Sequence, residues 1–111
     1  MWEYKDTHIN TNAAAVLESS AQRLFPNASI SQVLAELLLE RAQKSLIKHQ
    51  TAARLFEARY GQTFDTFRTT IIKSQPDSRT EQDYYDWELA VTGIEDMTEE
   101  IVQLQGVRQQ L

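Results

Sequence analysis

The chain has 111 residues, of which 41% are hydrophobic and 24% charged, a balance typical of one soluble globular domain and unlike that of a disordered chain. It contains no cysteine, which excludes disulfides, thiolate zinc sites and cysteine nucleophiles and makes a reducing cytoplasm the expected compartment. No apolar run approaches the roughly 18 residues that cross a bilayer, and the first six residues lack the apolar segment of a secretory signal, so we expect no membrane contact.

The net charge of −5 is distributed unevenly along the chain. Residues 41–76 carry seven bases against two acids, a balance of +5, whereas residues 77–111 carry two bases against nine acids, a balance of −7. Part of this charge is expected to be paired where the basic middle and the acidic end fold against each other. The excess of acids predicts a negative face that remains uncompensated.

Helix signals dominate, since glycine and proline are rare and β-branched residues do not alternate with polar ones over a strand length. The first predicted helix runs from Asn12, a good N-cap, to Phe25, and Pro26 ends it. Ser29 and Gln32 have the spacing of a capping box, so the second helix is predicted to begin there.

The second predicted helix is long, because apolar positions three or four residues apart continue as far as Tyr60, before the terminating Gly61. Within it, Leu37, Leu38 and Leu39 sweep about 200° of the helix circumference, given ~100° per residue. One neighbouring helix does not cover so wide an arc. These three leucines are therefore predicted to form a homodimer interface.

Two more helices are predicted after Gly61. Thr63 can cap a short third helix, and the final helix starts near Ser78 or Thr80, since Ser78 and Glu81 have capping-box spacing. A seam spaced 3, 4, 3, 4, 3 follows, consisting of Trp87, Ala90, Ile94, Met97, Ile101 and Leu104. It predicts an antiparallel packing face and a helix that continues across Gly93.

The predicted fold is therefore all-α, with about four helices in one domain that spans residues 1–111. Residues 1–60 form its dimerising part, and residues 63–111 form a C-terminal part with the acidic aromatic segment. The candidate strand is Trp2–Ile9, where a short N-terminal β-ribbon is an open alternative although neither of its sides is cleanly apolar.

The stretch Ser29–Leu38, with a short segment and a helix before it, resembles the ribbon-helix-helix domains of small prokaryotic regulators and antitoxins. The resemblance implies an intertwined dimer whose first ten residues pair as a ribbon that enters the DNA major groove. A ribbon that reads DNA should be basic or neutral, whereas here Lys5 stands between Glu3 and Asp6. Weak or no binding to nucleic acid is therefore expected.

The acidic end resembles, in general character, the acidic and aromatic helical tails with which small bacterial antitoxins cover their toxins. The candidate partner-binding residues are Asp83, Tyr84, Tyr85, Asp86, Trp87 and Glu88. Opposite charge raises the rate of encounter with a basic protein, and aromatic anchors supply the desolvated centre of an interface. The three aromatic residues sweep most of a helical turn, so at least one tyrosine is expected to be exposed.

Signatures of catalysis and of metal binding are weak. The histidines are His8 and His49, and His49 is predicted to be a packed residue on an apolar stripe. No nucleophile elbow or glycine-rich phosphate loop occurs, and the acids match neither a calcium loop nor a bundle metal site. The sequence predicts a non-catalytic, antitoxin-like protein-binding module without metal or cofactor. The alternative is a DNA-binding regulator of the ribbon-helix-helix type.

Overall fold

The computed structural model describes residues 11–111, and within this range all regular secondary structure is helical. The four helices are α1 (Thr11–Leu24), α2 (Ile30–Tyr60), α3 (Phe64–Lys73) and α4 (Ser78–Gln109). The predicted all-α fold with one long central helix is confirmed for this part of the chain. The candidate ribbon at Trp2–Ile9 lies outside the described residues.

The start of α2 is fixed by the predicted capping box. The Ser29 hydroxyl accepts a hydrogen bond from the Gln32 backbone N–H at 3.1 Å, and the Gln32 side chain accepts one from the Ser29 N–H at 2.7 Å. At the other end, Gly61 takes the left-handed conformation with φ of 62° and donates its N–H to the Glu57 carbonyl. Both ends were predicted because their residues act locally.

The helix α4 begins at Ser78, as predicted, but its capping residue is the one before the predicted cap. Asp77, rather than Ser78, is the N-cap, and its carboxylate accepts a hydrogen bond from the Thr80 backbone N–H at 2.8 Å. This hydrogen bond lowers the pKa of Asp77. Asp and Ser are almost equally good caps, so the spacing of Ser78 and Glu81 was not decisive. Thr63 caps α3 as predicted.

The two long helices, α2 and α4, pack antiparallel over most of their length. Arg59 pairs with Asp83 at one end of this helix pair, and Glu36 pairs with Arg108 at the other. The described chain is accordingly elongated, with extents of 59 × 31 × 19 Å. The length of these helices accounts for most of the longest dimension, since about thirty residues at 1.5 Å each span roughly 45 Å.

The core is concentrated at the α3 end of the α2–α4 pair. Its buried members are Ala53, Phe67, Trp87 and Ala90, with Phe56, Tyr60, Phe64 and Tyr84 among the half-buried residues packed against them. The indole of Trp87 is fully buried and contacts Phe67, with 5.1 Å between ring centroids, and Phe64, at 5.4 Å. Aromatic pairs of this kind add about 1 kcal/mol each to the burial of their surface.

The opposite end of the α2–α4 pair is lightly packed. The buried residues of α2 there are mostly small: Val33, Ala35, Leu39 and Ala42. The first helix, α1, contacts α2 but has no buried residue at all. The molecule therefore has one well-packed end and one end where apolar side chains remain open to solvent.

Candidate protein-binding surface

The inward face of α4 is the predicted seam. Trp87 and Ala90 are buried, while Ile94, Met97, Ile101 and Leu104 are half-buried, as expected for residues that face α2. The helix continues unbroken through Gly93, which confirms the prediction from the spacing of the seam. This orientation decides which of the candidate partner-binding residues face solvent.

Asp83 continues the seam inward instead of facing a partner. It lies four residues before Trp87, is only 8% exposed, and accepts hydrogen bonds from Tyr60 at 2.6 Å and from Arg59 at 2.8 Å. The hydrogen bond from Tyr60 is the main cause that lowers the pKa of Asp83, against the opposing effect of burial. Burial and the same hydrogen bond raise the pKa of Tyr60. Asp83 is thus the polar centre of the core.

Trp87 is also taken up by the core of the chain itself. It is 0% exposed, so neither it nor Asp83 is available to a partner in this conformation. Its indole Nε1–H is buried and has no hydrogen-bond acceptor among residues 11–111. Two of the six candidate partner-binding residues therefore stabilise the fold, which corrects the sequence interpretation for both.

The other four candidates lie beside or outside the core. Tyr85 is 55% exposed and Asp86 is exposed, while Tyr84 and Glu88 are half-buried. The Tyr84 hydroxyl lies 3.4 Å from a Glu88 carboxylate oxygen, and its ring contacts that of Tyr85 with 5.5 Å between centroids. The expectation that at least one tyrosine is exposed is confirmed by Tyr85.

The outward face of α4 carries a regular acidic stripe that was not predicted from the sequence. Its members are Glu81, Tyr85, Glu88, Thr92, Glu95 and Glu99, spaced 4, 3, 4, 3, 4. At ~100° per residue this set lies opposite the seam. Apart from the half-buried Glu88, these residues are exposed. We call this set the outer acidic stripe; its spacing could have been found from the sequence once the seam was known.

The acids of this stripe are not neutralised by the basic middle of the chain. Within residues 11–111 the ion pairs are Glu40–Lys44, Arg59–Asp83 and Glu36–Arg108. Of these, Arg59–Asp83 alone joins the basic middle to the acidic end, and it involves the buried Asp83. The expected pairing of the two blocks is therefore confined to one contact, and the acids of the outer acidic stripe form no ion pair within the described chain.

Three basic side chains of α2 lie on its exposed side, although Arg41 also borders Met97 and Leu104 of α4. Arg41, Lys44 and Lys48 are exposed and continue a stripe that begins with Ile30, Leu34 and Leu37. We call the three bases the α2 basic stripe. The two long helices thus carry exposed stripes of opposite charge, acidic on α4 and basic on α2.

The three leucines predicted as a dimer interface point in different directions. Leu39 is 3% exposed and belongs to the interior of the chain, whereas Leu37 and Leu38 are 48% and 47% exposed. Leu38 lies beside Met97 and Leu104 of α4, and Leu37 lies beside α1. The wide apolar arc is therefore covered in part by α4 of the same chain, and Leu39 is not an interface residue. Self-association stays a prediction.

Comparison of the chain with known protein families, with curated proteins and with solved structures yields no match. Its function must therefore be inferred from its own geometry.

The described residues were also compared with the requirements of a metal site and of a membrane-spanning helix. No group of three or more His, Asp or Glu side chains within residues 11–111 is placed to hold a metal ion. None of the four helices is long and apolar enough to cross a bilayer. His49, predicted to be packed, is half-buried against α4, where its imidazole lies on Gly93.

Proposed function

We propose that the protein is a non-catalytic binding module, similar to an antitoxin, which docks a basic protein partner on the outer acidic stripe of α4. The observation that carries the proposal is the absence of any ion pair to the acids of this stripe within residues 11–111. Acids without an internal ion pair, arranged along one face of a long helix, produce a directional negative field. Such a field accelerates association with a positively charged protein.

Tyr85 adds an exposed aromatic side chain to the acids of the proposed contact. It lies on the same face as Glu81 and Glu88 and is 55% exposed. Tyrosine combines a large apolar ring with a hydroxyl, and such residues are enriched at the centres of protein interfaces. The proposed contact therefore has Tyr85 near its centre, with the glutamates of the stripe around it, whereas Asp86 lies about 100° round the helix from Tyr85.

The core holds the outward-facing residues of α4 in fixed positions for a partner. Asp83 and Trp87 lie on the same helix as Tyr85 and are anchored in the core, so the outward residues of this turn are held in place. A preordered surface binds with a smaller entropic cost than a segment that must fold on contact. This feature favours docking by an already formed helix.

The proposal can be tested by reversing a single charge. The partner to use is the protein encoded beside this chain's gene, purified separately, with association rates measured at low and high salt. Glu95→Lys, in the outer acidic stripe, is expected to slow association and to reduce its dependence on salt. Glu57→Lys is the matched control, because Glu57 is an exposed glutamate of α2 without an ion pair in the described chain.

The two variants have the same net charge, so a non-specific electrostatic effect would slow both to the same degree. Equal association by Glu95→Lys, Glu57→Lys and the unmodified chain would mean that the outer acidic stripe is only a solvated helix face. Circular dichroism of each variant checks that the helices are intact.

A further inference from the structure

A groove between α1 and α2 is lined mainly by apolar side chains and lies outside the core. It has a volume of about 480 Å³, and its walls are Ala14, Leu17, Ala21 and Leu24 from α1 and Ile30, Leu34 and Leu37 from α2, among others. The large side chains in it are open to solvent: Leu17 is 65% exposed, Leu24 75% and Leu34 55%. Glu18 is the charged residue in its lining.

The first helix, α1, has little packing of its own to stabilise it. It has 14 residues, none of them buried. An isolated helix of this length is only marginally stable in water, and most helical stability in proteins comes from packing of an apolar face. In the described chain α1 packs against α2 on one side. Most of its stability should therefore come from a chain segment or a partner that packs in the groove.

We propose that the occupant is a second copy of this chain, and that two α1–α2 hairpins face each other across a two-fold axis to form a four-helix bundle. Each wall of the groove carries apolar residues at spacings of three and four, which is the pattern of a bundle seam. Two-fold symmetry places the same surface on both sides of the contact, so each hairpin supplies what the other lacks.

The apolar chemistry of the groove favours a contact between two copies of this chain. Its lining is apolar along both walls, as in obligate dimers, whose interfaces resemble a domain core cut in half. Leu17, Leu24, Ile30, Leu34 and Leu37 are the five large exposed side chains. At roughly 100 Å² each, they would remove about 1,000 Å² in a symmetric pair, which is the lower bound for a specific interface.

Charge excludes the partner proposed for α4 from this site. The stripe of α2 that lines the groove continues directly into Arg41, Lys44 and Lys48, so a basic protein would be repelled at its edge. A second copy carries the same three bases but also Glu18, an acid in the groove lining that can pair with them. The dimer contact and the outer acidic stripe are therefore separate surfaces.

Sedimentation equilibrium of the full chain tests the proposal without any partner. We expect a dimer at micromolar concentration, and Leu34→Glu is expected to weaken dimerisation about a hundredfold or more, because each copy would bury an unpaired carboxylate. Leu55→Glu is the matched control: Leu55 is 63% exposed on the same helix but lies outside the groove. It should leave the dimer unchanged.

A second measurement does not depend on the stability of the charged variant. The chain has no cysteine, so single cysteines report on proximity directly. Leu37→Cys chains should cross-link to each other under mild oxidation, whereas Leu55→Cys chains should not. An unmodified chain that stays monomeric at about 100 μM, roughly a hundredfold above a micromolar dissociation constant, would overturn the proposal.

Two other results would also overturn it. A dimer that is dissociated by Leu55→Glu and not by Leu34→Glu would place the contact on another part of α2. A monomer that dimerises only after removal of residues 1–10 would show that the segment before α1 occupies the groove.

Discussion

The imidazole of His49 lies directly on the backbone of Gly93, so that a Cβ built on this glycine would come within 2.6 Å of three ring atoms. This distance is far shorter than a van der Waals contact, and the two long helices approach closely here because Gly93 has no side chain. Gly93 weakens α4 as an isolated helix, yet the packing of α2 against α4 requires it.

We therefore expect Gly93→Ala to destabilise the protein by about 1–2 kcal/mol, although alanine is the better helix former. Gly106→Ala is the matched control, because Gly106 also lies in α4 but has no heavy atom within 4 Å of the point that an added Cβ would occupy. It should stabilise the protein by up to about 1 kcal/mol. Urea unfolding measures both values. Equal effects of the two substitutions would mean that the His49 ring moves aside freely.

The Asp83 carboxylate should make the stability of the protein depend on pH in the acid range. Its pKa is lowered in the folded state, chiefly by the hydrogen bond from Tyr60, so the folded form binds fewer protons than the unfolded form. The resulting stabilisation is present above the unfolded pKa of about 4 and is lost as the pH falls through the folded value.

Unfolding free energies measured from about pH 6 to pH 2 should therefore decline less steeply in Asp83→Asn than in the unmodified chain. At neutral pH the same substitution should cost about 2 kcal/mol, since it removes a charged acceptor from two hydrogen bonds. Glu81→Gln is the control, because Glu81 is exposed on the same helix. Parallel pH curves for the Asp83→Asn and unmodified proteins would contradict the role assigned to this carboxylate.

Tyr85 and Trp87 are two residues apart and should respond to alanine substitution in opposite ways. Trp87→Ala removes a fully buried indole from the core and should cost about 4 kcal/mol of folding stability. Tyr85→Ala should leave stability within about 0.5 kcal/mol, as for most surface substitutions, while it weakens binding of the basic partner. Thermal unfolding and binding titrations separate the two effects. A Tyr85→Ala protein that binds its partner normally would remove the aromatic anchor from the proposed contact.

Binding to duplex DNA is expected to be weak and confined to low salt. The α2 basic stripe offers only three side chains, Arg41, Lys44 and Lys48, on a chain of net charge −5. With about three phosphate contacts, affinity should fall roughly fortyfold between 50 mM and 200 mM salt. Fluorescence anisotropy with a labelled duplex measures this slope. Tight and sequence-selective binding at physiological salt would instead favour the DNA-binding regulator.

The helices and most of their ends could be predicted from the sequence because the signals are local. Ser29 and Gln32 cap α2 within one turn, Gly61 ends it through its own backbone, and the seam of α4 is a simple periodicity. Which residues of the acidic aromatic segment are buried and which are exposed could not be predicted in the same way. Asp83 is buried because Tyr60 and Arg59 satisfy it from another helix, 23 and 24 residues away, and no apolar pattern indicates such a partner.

The leucines of α2 show a second feature that could not be predicted from the sequence. Periodicity shows that an apolar arc is wide, but it does not show which helix covers each part of it. Leu39 faces the interior because α4 returns along α2, an arrangement fixed by contacts far along the chain. Leu37 lies beside α1 but remains 48% exposed, because the groove between α1 and α2 is open.

The antiparallel α2–α4 pair also implies an order of assembly. The contacts that close it span 23 residues at Tyr60–Asp83 but 72 residues at Glu36–Arg108, and closing a short loop costs less entropy than closing a long one. Folding should therefore begin at the aromatic end of the α2–α4 pair and proceed along the two helices towards α1. Amide protons should exchange slowest around Phe67 and Trp87 and fastest in α1. A protease that attacks native chains would then cut first in α1.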